Sequence, residues 1–466
     1  MPSLSALEHS LTVQVRAILH KRYSLRTLRH LAFAIALVSC IAAGLITVIS
    51  LFTRPWKTHM HYTALEINLL ASAVNLGGYL TPPFLGVLSD SHGPVVLSWL
   101  AVIAFVPSYA YSAHTFQQGE GSFALSVVAF CAIGVATSAL YFSALLTCAK
   151  LHPESKLLSI SLPTTFYGLS SLVASAVLKH PWFWNGRKYL DLARVFKAFA
   201  WFYVVVGLAT WVSTSIVAIL KTTAEDEEHE PLIPGDDAAD LASLELADLD
   251  YSKRFSAFAR DPSAYLLLLI TFLTIGSLEM FLANMGSVAS LLYPGEKLIQ
   301  AKVLSFYAFS STSARILVGL ASDLLHSGGI SRIWVLYFMI VVGLCSQILP
   351  TIRSPPLTLI GILSGASYGG LFTAIPTMTL SIWGDRIFGT AYGCFMVAPA
   401  LGSTLFGLYY AHVYDHNCDS NTAGSSCIAP AFSVTSFSFL AALVASICVS
   451  YTMKRHQIKM PTRGPE

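Results

Sequence analysis

Two ionisable side chains lie deep inside apolar runs of this chain: Glu279 in Leu278-Glu279-Met280-Phe281 and Arg315 in Ser313-Ala314-Arg315-Ile316. An uncompensated charge in hydrocarbon is costly, so such positions carry function or a fixed ion pair. Arg315 offers a permanently charged fork that can take a carboxylate in two hydrogen bonds. Glu279 can bind and release a proton. The plainer alternative is a mutual ion pair that fixes helix register. Both hold together if substrate breaks that pair.

Uncharged polar residues extend the set. Asn75 and Tyr79 are four apart and share a helix face. Tyr368 follows Ser364 at the same spacing, and Asn284 and Tyr141 lie in other apolar runs. A second pattern recurs in the two halves of the chain: Gly86-Val87-Leu88-Ser89-Asp90 and Gly319-Leu320-Ala321-Ser322-Asp323. Each pentad stands where an apolar run gives way to a short polar loop. Asp90 and Asp323 are expected to pair with Arg386 or Lys150 as gating contacts. No phosphate-binding loop, nucleophile elbow or His-based metal pair is present. The expectation is therefore no enzyme, no cofactor and no metal site.

These side chains must be held by membrane helices. The 466 residues are 55% hydrophobic and 11% charged, whereas soluble domains carry about 25% charged residues. Runs of about 20 apolar residues span a bilayer as helices, which satisfy their own backbone. Twelve spans are expected, at 31–52, 64–87, 95–112, 122–149, 158–178, 196–220, 263–292, 303–322, 331–350, 356–382, 387–412 and 430–452. The fold class is thus all-α and integral to the membrane, two six-helix bundles at 31–220 and 263–452. Paired bundles with an internal repeat are the architecture of secondary transporters. The basic, amphipathic residues 1–30 form an N-terminal tail with no cleavable leader, and 453–466 a C-terminal tail. Most of the 28 Lys and Arg fall in the tails and even-numbered loops, which places both termini in the cytosol. A nucleic-acid partner is not expected from a net charge of +3 that comes from the tails.

Residues 221–262 hold nearly half of the 25 acidic residues. Such a segment cannot bury a core and is expected to be a disordered cytosolic linker. Within it, Glu228 stands four residues before Leu232-Ile233, the form of an acidic dileucine signal that a sorting adaptor could read; the alternative is a chance apolar pair. Cys418 and Cys427 share the last odd-numbered loop and can be bridged or free thiols. Gly361, Gly365 and Gly369 line one face of span ten, and Gly389 and Gly393 open span eleven at the same spacing; such faces allow close helix approach.

Twelve spans, a central linker and the repeated Gly-x-x-Ser-Asp together resemble the major facilitator superfamily over nearly the whole chain. That family's loop between spans two and three has Gly, Asp and a second Gly, matched by Gly86, Asp90 and Gly93; Ser91 and Pro94 stand where basic residues are usual. Asn75-Leu76-Gly77-Gly78-Tyr79 and Gly86 through Pro94 resemble the fungal monocarboxylate-transporter homologues, in particular a vacuolar branch, as does the Glu-Pro-Leu-Ile-Pro element. The resemblance implies a monomer in the vacuolar membrane that moves a small solute by alternating access, with spans one, four, seven and ten lining the path. In monocarboxylate transporters an Arg four residues before a Gly binds the carboxylate, and Arg315 with Gly319 matches. Those proteins also have an Asp one turn earlier, where this chain has Ser311, and a Lys in the first span, where this chain has none. An alternative from another class is a non-transporting receptor or scaffold that signals through the linker.

Overall fold

The structure, a computed structural model, describes residues 19, 21–185, 189–228, 251–293, 299–352, 356–418 and 426–459. Eleven helices among them are long and apolar enough to cross a membrane. The expected span two is the twelfth, and it is not one helix. It runs Ala64–Leu80 and resumes as Pro82–His92. Pro82 and Pro83 have no N–H to give to the carbonyls of Gly78 and Tyr79. Ser138 of span four donates its hydroxyl to the Gly78 carbonyl instead, and Thr81 Oγ1 donates to Gly77 O at 2.5 Å. At the start of the span, Thr63 and Glu66 form a capping box, which satisfies two end-of-helix donors.

Two compact units divide the chain. The first comprises Met1–Glu154, Pro163–Phe255 and Asp385–Gly393; the second comprises Ser155–Leu162, Ser256–Gly384 and Cys394–Glu466. Each unit therefore contains one short segment donated by the other half of the sequence.

In the first unit span one begins at Leu25, six residues before the expected position, because Ser24 caps it by accepting from Thr27 N. It continues from Ala43 as 3-10 turns over Gly44–Phe52. Spans three and four are Val95–Gln118 and Phe123–Leu151. Span six is Leu192–Glu228, longer than the expected 196–220; no Gly or Pro interrupts the chain between Gly207 and Pro231. Aromatic rings fill this unit: Phe105 stacks on Tyr203 at 3.7 Å, and the Tyr203 hydroxyl donates to Ala42 O at 2.8 Å. A phenol buried in apolar surroundings needs such an acceptor.

The second unit holds spans seven to ten, Pro262–Leu292, Ile299–Ser327, Ile333–Ile348 and Leu357–Trp383, and span twelve, Ala429–Lys459. Span eleven, Phe388–Asn417, starts in the first unit and ends in the second; span five, Leu162–Leu178 with the wide turn Leu157–Ser161 before it, does the reverse. Asp261 opens span seven by accepting from Ser263 N, with Pro262 at the first helical position. A helix also covers 251–260, inside the expected linker. Met280, Phe281, Tyr410 and Phe432 form the core beside Glu279.

Candidate functional site

Spans eight and ten lie against each other because the glycine face of span ten has no side chains to hold them apart. A Cβ on Gly361 would come within 2.6 Å of Val303 Cγ1; one on Gly365 would run into the Tyr307 carbonyl, and one on Gly369 into that of Ser311. Along span eight, Tyr307, Ser311 and Arg315 step by four and share a face. Along span ten, Tyr368 and Phe372 do the same.

The close approach assembles a polar cluster. The Tyr368 hydroxyl donates to Glu279 Oε1 of span seven at 3.4 Å. The Tyr368 ring lies 5.8 Å from that of Tyr307 and 4.7 Å from that of Phe372. Arg315 is buried, at 7% exposure, with its guanidinium carbon 5.9 Å from the Phe372 ring centroid. That distance allows a cation–π contact. Its backbone carbonyl accepts from Ser161 Oγ. The Tyr307 hydroxyl and Ser364 Oγ are buried with no hydrogen-bond partner among the described residues. A buried polar group without a partner is costly, so these two are places where a solute can donate or accept.

Glu279, Arg315 and Tyr368, singled out from sequence, thus meet in one cluster. Tyr307 and Phe372 did not stand out; their signal is the four-residue stepping from Arg315 and from Tyr368. Asn75 is exposed and Tyr79 half-buried on span two, in the first unit. Asn284 donates to Met280 O at 2.9 Å, so its amide is used by its own helix. Tyr141 packs on Tyr167.

The two pentads have parallel geometry, one in each unit. In the first, a Cβ on Gly86 would run into the carbonyl of Gly389, and Asp90, one turn later on the same face, accepts from Gly389 N at 3.2 Å and Thr390 N at 2.6 Å. In the second, a Cβ on Gly319 would run into Ser161, and Asp323 accepts from Ser155 Oγ at 2.7 Å, Lys156 N at 2.7 Å and Leu157 N at 3.0 Å. Gly lets an incoming segment approach, and Asp captures its free N–H groups, which are the positive end of a helix. Backbone N–H groups, with the Ser155 hydroxyl, donate to the two carboxylates, because the first turn of a helix has N–H groups with no other acceptor; Arg386, expected beside them, is exposed, and the charge of Lys150 acts on Asp90.

The family model of the Major Facilitator Superfamily matches residues 24–407. The chain belongs to the Major Facilitator Superfamily. It is 46% identical to the probable transporter MCH1 of Eremothecium gossypii, over 98% of this chain and 100% of the relative, and 41% identical to that of Saccharomyces cerevisiae over the same shares. Solved Major Facilitator structures share its fold. The human organic anion transporter MFSD10 has a TM-score of 0.59 at 18% identity, over 91% of this chain and 100% of that one. The proton:xylose symporter XylE has 0.61 at 12%, over 90% and 94%. As a superfamily member the chain is a multi-pass membrane transporter.

Two further expectations of this superfamily member fall elsewhere. The structure bonds Cys418 to Cys427 beyond the end of span eleven. Of the expected sorting element, Glu228 is the last described residue of span six, and Leu232 and Ile233 lie outside the described residues.

Proposed function

We propose that this transporter carries a small organic anion across the vacuolar membrane by alternating access, coupled to protons. The observation that supports it is the Glu279–Tyr368 contact beside a buried Arg315, within one unit of apolar helices. Arg315 takes the substrate carboxylate on its guanidinium edge while Phe372 holds the guanidinium face. Glu279 carries the proton, and the Tyr368 hydroxyl, bonded to its carboxylate, relays it. The unpartnered Tyr307 and Ser364 hydroxyls supply further contacts. Asn75 and Tyr79 are the substrate-binding candidates of the first unit taken by itself. Asp90 and Asp323 latch the starts of spans eleven and five, and release of either latch accompanies opening, with Arg386 at its edge. Both termini and the linker face the cytosol, the dileucine element directs the protein to the vacuole, and the Cys418–Cys427 bridge closes the opposite loop.

The test is uptake into proteoliposomes with an imposed pH gradient, offering small carboxylates, amino acids and sugars. Gradient-driven uptake of one carboxylate, lost in Arg315→Ala, is the expected result. No carboxylate uptake from a folded protein, or uptake indifferent to Arg315→Ala, defeats the proposal.

A further inference from the structure

A second cationic site lies at the end of span nine, away from Glu279 and Arg315. Arg332 occupies the N-cap position of that span, with no capping bond from its side chain. It is half-buried, its Nη1 donates to Ser381 Oγ at 3.3 Å, and its Nε is buried with no hydrogen-bond partner. No carboxylate among the described residues forms an ion pair with it. The Asp323 charge reaches Arg332 only at longer range, and its oxygens are taken by Ser155, Lys156 and Leu157. A half-buried guanidinium with an unmet donor, at the positive end of a helix, calls for an anion.

The surroundings say which kind. Arg332, His326 and Ser381 stand at the polar end of a cavity of about 940 Å³ whose other wall is Tyr337, Ile447 and Tyr451. Trp334 also borders it, at 60% exposure, and forms one edge of a second groove of about 730 Å³. That groove is lined by Phe309, Leu317, Phe338 and Leu363 and is almost wholly apolar. The first cavity mixes polar and apolar lining and the second groove is apolar, surface for which a free inorganic anion has no use. A molecule with an anionic head and two hydrocarbon chains fills both. Trp and Tyr at this depth mark the headgroup level of a bilayer, where basic pockets between spans hold lipid phosphates.

We propose that this is a binding site for an anionic phospholipid, with the phosphate on Arg332 and the two acyl chains on either side of Trp334. The bound lipid supplies the missing counter-charge and ties the start of span nine to the ends of spans ten and twelve.

The test uses the full chain in neutral detergent, titrated separately with phosphatidic acid, phosphatidylcholine of the same chains, and inorganic phosphate. Thermal unfolding and native mass spectrometry read the binding. Phosphatidic acid should raise the unfolding midpoint and remain bound, with an affinity about fivefold or more above phosphatidylcholine. Arg332→Gln should remove that preference. Arg260→Gln, a basic residue outside the groove, should keep it. Equal binding of the two lipids by the wild type, which needs no variant to fold, overturns the proposal. So does an unchanged preference in Arg332→Gln, or an equal shift from inorganic phosphate, which would make the site one for a free anion.

Discussion

Arg315 and Glu279 should respond differently to replacement. Lys at 315 keeps the charge but loses the two-pronged geometry and the flat face on Phe372. We expect Arg315→Lys to retain uptake with KM raised about tenfold, the effect of losing one charge-assisted hydrogen bond. Glu279→Gln should retain exchange of substrate across the membrane but lose its response to the pH gradient. Gradient-independent counterflow in the same vesicles separates the two variants. Asp90→Asn keeps one acceptor for Thr390 N but loses the second carboxylate oxygen, which Gly389 N meets. Its thermal midpoint in detergent should fall below that of the wild type, and an unchanged midpoint would show that this latch adds no stability.

The glycine face of span ten belongs to the scale of elements. Each Cβ it lacks is space occupied by span eight. Gly365→Val forces the two helices apart at Tyr307 and moves the ring beside Tyr368. Overpacking of this kind costs about 1–3 kcal/mol, so the thermal midpoint in detergent should fall and transport should fall with it. Gly407→Ala is the control, because a Cβ there meets nothing within 4 Å and should leave the midpoint unchanged or slightly raised. The break in span two follows the same logic of local backbone supply. Pro82-Pro83 removes the donors to the carbonyls of Gly78 and Tyr79, and Ser138 answers for that of Gly78.

At the scale of the molecule, each unit contains a segment from the other half of the sequence, held by a Gly and an Asp one turn apart. Residues 229–250 join the halves. Their excision should leave flux in proteoliposomes near the wild-type rate, since no residue of the cluster or of either latch lies within them. The same excision should missort the protein in cells, which fluorescence microscopy of a tagged chain reads. Lost flux in vesicles would instead favour a receptor that acts through its linker.

Membrane class, the positions of the spans to within about eight residues at their ends, and Glu279, Arg315 and Tyr368 as ionisable or polar groups inside spans were legible in sequence. Each rests on a local quantity: hydropathy over about 20 residues, the helical period, or the cost of one charge among apolar neighbours. The repeated pentad was legible as a repeat, but its partners were not. Asp90 meets Thr390 across 300 residues of chain, and it meets a backbone group that no side-chain pattern advertises. Tyr307 and Phe372 join the cluster only because three glycines let span ten settle on span eight. The unmet Nε of Arg332 became visible only once the neighbours that fail to pair with it were in place. Sequence determined which residues cost energy to bury, and tertiary packing decided which groups meet that cost, because the partners are chosen by helix contact rather than by nearness along the chain.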